Sequence, residues 1–477
     1  MDEIQELERA RIKAFFQLLV ERLGAAAWAK RKAAFEGKVR DRELLIDLAM
    51  PIESQLFQPK ENDIDWVILV ADLAWDCKYS DCAYSSKRIY PYALAIGAVA
   101  DQLRNVPNVN GVLNKMLANN NQPENQLFEL LTASFYLKNG YEVSFIPENS
   151  ILWPDGKTKK SPDMLVKSED AEFYVECKRA GSQTQYAQTE EKAWAAVWER
   201  LSAHMLAVAP WRRVDLTFHD QVADVSPEDV IKVVDLAIGR GGRRVREGSV
   251  TALIHDIDFR YLRAHYLFNS VKPNSPQQEL LVFGDTDSNE KRSIATVASS
   301  IVRPGEPETI LNIFVEGVAN CVGAQWRCDH SISKDARSKH FKSLVNAAVS
   351  QIPPDKPGVV HVWYETREGV EVEEQRSDKN RKEIAAYDAS STTVLGTFVH
   401  GVSFYPSATD YEWAETVADF LRERDVRRFY RQSLMLATEN TVEVEGTTHW
   451  EQDKAARAGR RSSWIARIFS TLFGGRI

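Results

Sequence analysis

Cysteine is scarce, at five in 477 residues. That is too few for a disulfide framework and fits a reduced, intracellular setting, so a cytoplasmic location is expected. No apolar run approaches the ~20 residues that a membrane-spanning helix needs. The start, Met1-Asp2-Glu3-Ile4-Gln5-Glu6, lacks the basic opening and apolar core of a secretory signal. Positive charge is not in excess either: 60 Lys and Arg stand against 68 Asp and Glu, a formal net charge of -8. A globally basic nucleic-acid coat is therefore excluded, and any contact with phosphates must be local. There is no Walker A sequence, no internal repeat and no low-complexity tract. Cys321, Cys328 and His330, even with Cys77 and Cys82 as imagined partners, fit no common zinc spacing.

What is present is an ordinary globular composition, 44% hydrophobic and 27% charged, with length enough for two or three cores. Within it, Ser161-Pro162-Asp163-Met164-Leu165-Val166 and Tyr174-Val175-Glu176-Cys177-Lys178 are short apolar segments that carry acids. Between them Ser168-Glu169-Asp170-Ala171 has the composition of a turn. A hairpin of 163–167 with 172–178 sets Lys167 opposite Glu172 and Asp163 opposite Glu176. Opposed Cβ atoms lie roughly 4.5–5.5 Å apart, and two carboxylates that close repel unless a cation joins them. Alternation puts Phe173, Val175 and Cys177 on one face and Tyr174, Glu176 and Lys178 on the other. Upstream, 124–138 reads as a buried helix ended by Asn139-Gly140, with Glu129 embedded in Leu127-Phe128-Glu129-Leu130-Leu131. A buried carboxylate there calls for a partner, a proton or a metal. Tyr141 to Phe145 alternates like a strand.

A helix with Glu129, a strand, a strand opening Pro162-Asp163, a strand with Glu176-Cys177-Lys178 and a further helix resemble the PD-(D/E)xK, or restriction-endonuclease-like, nuclease superfamily. The resemblance covers roughly residues 120–210. It implies an α/β fold with a mixed-sheet core and a magnesium- or manganese-dependent phosphodiesterase, a deoxyribonuclease before a ribonuclease, in a restriction or phage-defence setting. In that reading Asp163, Glu176 and the Cys177 carbonyl hold the ion, and Glu129 completes the shell or binds a second ion. Lys178 orients water and stabilises developing charge. The products carry a 5′-phosphate and a 3′-hydroxyl. The alternative is a catalytically inactive nucleic-acid-binding or assembly module on the same fold.

Phosphate contacts are expected from Lys157, Lys159 and Lys160 before the Pro-Asp strand, and from Arg240, Arg243, Arg244 and Arg246 in a glycine-rich loop. Residues 1–118 read as a helical domain, 119–220 as the core, 221–450 as an α/β accessory region and 451–477 as a basic amphipathic tail. Two segments compete to complete the core sheet. One is 214–218; the other is 358–363, which would bring 336–365 into the core. Residues 280–284, 309–316 and 393–405 read as further strands and 411–435 as helix. The expected partners are nucleic acid, a protein or membrane surface through the 455–477 tail, and a second copy of the chain.

Overall fold

The computed structural model describes residues 3–43, 45–57, 63–75, 88–118, 123–154, 156, 159–181, 183–285, 290–302, 313–385, 392–406, 411–422 and 434–456. Lys157, the 119–122 boundary, Cys77, Cys82 and tail residues 457–477 lie outside the described residues.

The chain is a mixed α/β protein with two mixed sheets. Helices α1 (Glu3–Leu23), α2 (Ala25–Glu43), α3 (Ile52–Gln55), α4 (Ile64–Trp75), α5 (Ile89–Gly97), α6 (Ala100–Arg104), α7 (Val109–Leu117) and α8 (Pro123–Lys138) come first. A hairpin-linked run of β1 (Glu142–Phe145), β2 (Met164–Lys167) and β3 (Glu172–Arg179) follows, then α9 (Gln185–Val208). The second sheet is built from β4 (Arg212–Phe218), β5 (Val245–Glu247), β6 (Val250–Asp256), β7 (Lys291–Val302) and β8 (Phe314–Cys328). Helices α10 (Pro227–Gly239), α11 (Phe259–Phe268) and α12 (Pro276–Phe283) intervene. Helices α13 (Ser331–Arg337) and α14 (Lys342–Val349), strand β9 (Gly358–Glu365), helix α15 (Val370–Ala385) and strands β10 (Val394–Pro406) and β11 (Tyr411–Leu421) return the chain to the first sheet.

The first sheet has the order β1-β2-β3-β9-β10-β11. Its β1–β2 and β2–β3 pairs are antiparallel. β3, β9 and β10 run parallel, and β11 closes the far edge antiparallel. The competition between 214–218 and 358–363 is thus decided: β9 lies beside β3, and β4 belongs to the second sheet, order β5-β6-β4-β8-β7. Every residue of β9 is buried, as expected of a parallel strand covered on both faces. The residues grouped in sequence as 221–450 therefore divide between the two sheets.

Helix α8 ends where its sequence says it should. Gly140 takes φ 86°, and the N–H groups of Gly140 and Tyr141 close onto Leu137 O and Tyr136 O. Its Phe128, Leu131 and Phe135 share one core with Phe15 and Leu19 of α1, Ile68 of α4 and Ile96 of α5. The same core takes Met164, Val166, Phe173, Val175 and Trp363 from one face of the first sheet. The opposite face buries Tyr174, Val360, Val362 and Tyr364 under Phe341 and Val345. Gly401 leaves β10 unbroken; a Cβ there would meet the Tyr364 hydroxyl at 2.7 Å.

Three local expectations are corrected. Residues 280–284 are not a strand but the end of α12 and its cap. Ser275 accepts the Gln278 N–H, Pro276 opens the helix and Gly284 closes it in the left-handed region. Tyr411–Leu421 is strand rather than helix, held along its length by β10. Residues 45–50, read as continuing a helix, form turns organised by Asp47 and Gln55.

Candidate metal centre

The β2–β3 hairpin has the register expected from its sequence, with Lys167 opposite Glu172 and Met164 opposite Val175. Ser168 closes the turn, accepting the Ala171 N–H on Oγ and donating its own N–H to Ala171 O. The paired register ends at Met164; beyond it the Asp163 N–H donates to Val175 O at 3.1 Å, so Asp163 does not step on to face Glu176 as expected, and its Oδ2 accepts the Cys177 N–H at 2.7 Å. A carboxylate oxygen thus stands where a main-chain carbonyl would continue the ladder. The regular pairing therefore ends at the Pro-Asp pair, leaving an acid at the break.

Glu176 is fully buried. One of its oxygens pairs with Lys178 Nζ, and the other, Oε2, has no hydrogen-bond partner. An unsatisfied buried carboxylate oxygen beside a second acid is the feature a cation would relieve. The electrostatics agree. Burial, then the Asp163 charge, pushes the Glu176 carboxyl up to about 8, against the opposing pull of Lys178. Asp163 is also raised by burial, resisted by the Cys177 N–H, Lys178 and Lys160. Glu129 is raised well above the carboxylate range by burial and then by Asp163. Cys177 packs on the apolar side, and burial pushes its thiol well up, so it is no nucleophile.

Helix α8 thus brings Glu129 within electrostatic reach of Asp163 and Glu176. Among the described residues, however, no three His, Cys, Asp or Glu side chains are grouped so as to hold a metal ion. The residues that could contribute donors to one are Asp163 and Glu176, with Glu129 within their electrostatic reach.

Glu124, at the start of α8, pairs with Arg88 at 2.8 Å and Arg179 at 2.5 Å. Glu365, at the end of β9, joins Arg88 and lies 2.5 Å from Arg367. This network ties α8 to β3 and β9 immediately beyond Lys178. Sequence reading missed it, although Arg179 follows Lys178 directly and Glu365 ends an apolar run. A second unforeseen chain is buried under the same sheet. Tyr136 Oη meets His361 Nε2 at 2.8 Å, His361 Nδ1 meets His400 Nε2 at 2.9 Å, and His400 Nδ1 meets Glu415 Oε1 at 2.8 Å. Burial and the neighbouring His400 hold His361 well below its ordinary value, so it is neutral.

Of the basic residues, Lys160 lies close enough to lower all three acids. Lys159 instead stacks its ammonium over Trp153 at 4.2 Å. Arg240, Arg243, Arg244 and Arg246 are exposed at the α10–β5 corner, on the second sheet and not beside Asp163. Cys321 and Cys328 are free and buried in β8.

Compared with family models, curated proteins and solved structures, the chain matches none.

Proposed function

We propose that the chain is a metal-dependent nuclease with a restriction-endonuclease-like core of the PD-(D/E)xK type, acting on DNA. The observation that carries the reading is the open end of the β2–β3 hairpin, where Asp163 accepts the Cys177 N–H, its charge raises the Glu176 carboxyl, and Lys178 pairs with Glu176. The order α8, β1, β2, β3, α14, β9 around one mixed sheet supports it.

Asp163, Glu176 and the Cys177 carbonyl would hold magnesium or manganese, hard cations suited to oxygen donors. Such an ion supplies Lewis-acid stabilisation of the phosphate and lowers the pKa of water. The protein's own groups do the rest. Glu176, its carboxyl pushed up to about 8, would give up a proton on accepting the cation. Lys178, held by Glu176, orients water and faces the charge that builds on phosphorus. Lys160, at the mouth, attracts the phosphodiester.

The test is incubation of the purified chain with plasmid, linear duplex, single-stranded DNA and RNA, with magnesium or with EDTA. Cleavage of DNA that needs magnesium and is lost in Glu176→Ala and Lys178→Ala supports the reading. Binding without cleavage under every condition refutes it.

A further inference from the structure

Helix α11, ten residues with the sequence FRYLRAHYLF, buries only Leu262 and Tyr266. Phe259, Tyr261, Leu267 and Phe268 are 42, 60, 78 and 86% exposed. Arg260 and Arg263 are exposed between them.

Trp211, immediately before β4, extends the patch. Its ring lies 6.0 Å from that of Phe259 at an interplanar angle of 44°. The Arg263 guanidinium lies 5.2 Å from the Trp211 ring centroid, and that of Arg260 lies 5.9 Å from Phe259. Trp211 has a φ of 63°, a conformation that bulky side chains rarely adopt. The sheet enforces it: the Trp211 N–H donates to Cys321 O at 3.0 Å and its carbonyl accepts the Ile257 N–H at 2.8 Å. Strain held in place by its surroundings concentrates where side chains are being aimed.

The nearby acids are engaged elsewhere. Asp258 caps α11 through the Arg260 and Tyr261 N–H groups, and Asp256 pairs with Arg212 at 3.2 Å. Among the described residues no carboxylate pairs with Arg260 or Arg263. On a chain of net charge -8, this is a local cationic, aromatic surface.

We propose that this face binds single-stranded nucleic acid, with bases stacking on Trp211, Phe259 and Tyr261 and phosphates meeting Arg260 and Arg263. Interleaved rings and guanidiniums match a strand whose bases are free to stack and whose backbone is anionic. A duplex hides its base faces and can use only the two arginines. The proposal rests on the nuclease reading only for its purpose, substrate capture; the binding itself does not involve Asp163 or Glu176.

The experiment is fluorescence anisotropy with a labelled 20-nucleotide dT strand and a matching duplex, in EDTA, on the full chain. Variants are Tyr261→Ala, Arg260→Ala/Arg263→Ala and, as a check on the exposed apolar end, Phe268→Ser. Wild type is expected to prefer the single strand. Tyr261→Ala loses about tenfold in affinity for it. The double arginine variant lowers the salt slope of binding by about 1.4. Thermal midpoints stay unchanged. Unaltered single-strand binding in these variants overturns the proposal. So does a wild type that binds no single strand, or a patch whose variants alter self-association or vesicle binding instead. Magnesium-dependent cleavage of duplex DNA by the same proteins reports on the nuclease reading separately. Cleavage with unaltered strand binding sinks only the patch, and altered binding without cleavage sinks only the nuclease.

Discussion

The Asp163 carboxylate accepts the Cys177 N–H at 2.7 Å, one residue beyond Glu176 on β3, and burial holds the Asp163 and Glu176 carboxyls above their ordinary range. The Asp163 charge adds to the cost of ionising Glu176, and Lys178 offsets only part of it.

The first prediction concerns pH. The Glu176 carboxyl ionises near pH 8 in the folded chain and near 4.5 in the unfolded one. Between those values the folded state holds the extra proton, so metal-free stability falls as pH rises through this window. Cation binding displaces that proton, so magnesium or manganese should raise the melting temperature more at pH 8 than at pH 5.5. Glu176→Gln should remove both effects, leaving a metal-free protein more stable than wild type above pH 8. Melting curves across pH, with and without manganese, check it.

Lys178 should matter for chemistry more than for holding the ion. Lys178→Ala is expected to lower cleavage by about 10²–10³-fold while keeping the manganese-induced rise in melting temperature. Loss of that rise together with activity would reassign Lys178 to a structural role.

The Tyr136–His361–His400–Glu415 chain should contribute stability alone. His400→Phe strands His361 Nδ1, while Glu415 keeps the Met435 and Leu436 N–H groups, at a cost of about 1–3 kcal/mol. Denaturant unfolding would measure this loss, and the manganese shift should persist.

The hairpin was legible because a strand's period of two fixes facing residues once the turn is placed, but that period could not show the irregularity at Asp163, whose N–H donates to Val175 O. Glu129 was legible because a carboxylate amid Leu and Phe is costly without a reason. The partner of β3 was not, since 214–218 and 358–363 are both good strands and the choice lies in packing across 180 residues of chain. Glu279-Leu280-Leu281-Val282-Phe283 was misread because a short apolar run fits strand and buried helix alike. β11 was misread because 413–421 of this edge strand are half-buried on both faces, giving no clean alternation. The Arg88–Glu124–Arg179–Glu365 network joins positions scattered over the chain, and no local pattern announces such a meeting.

The most direct measurement is anomalous diffraction from crystals soaked in manganese at pH 8. A peak bridging the carboxylates of Asp163 and Glu176, beside the Cys177 carbonyl, is predicted, and it should vanish in Glu176→Gln. Well-ordered carboxylates with no peak between them, or manganese bound only elsewhere, would contradict the account.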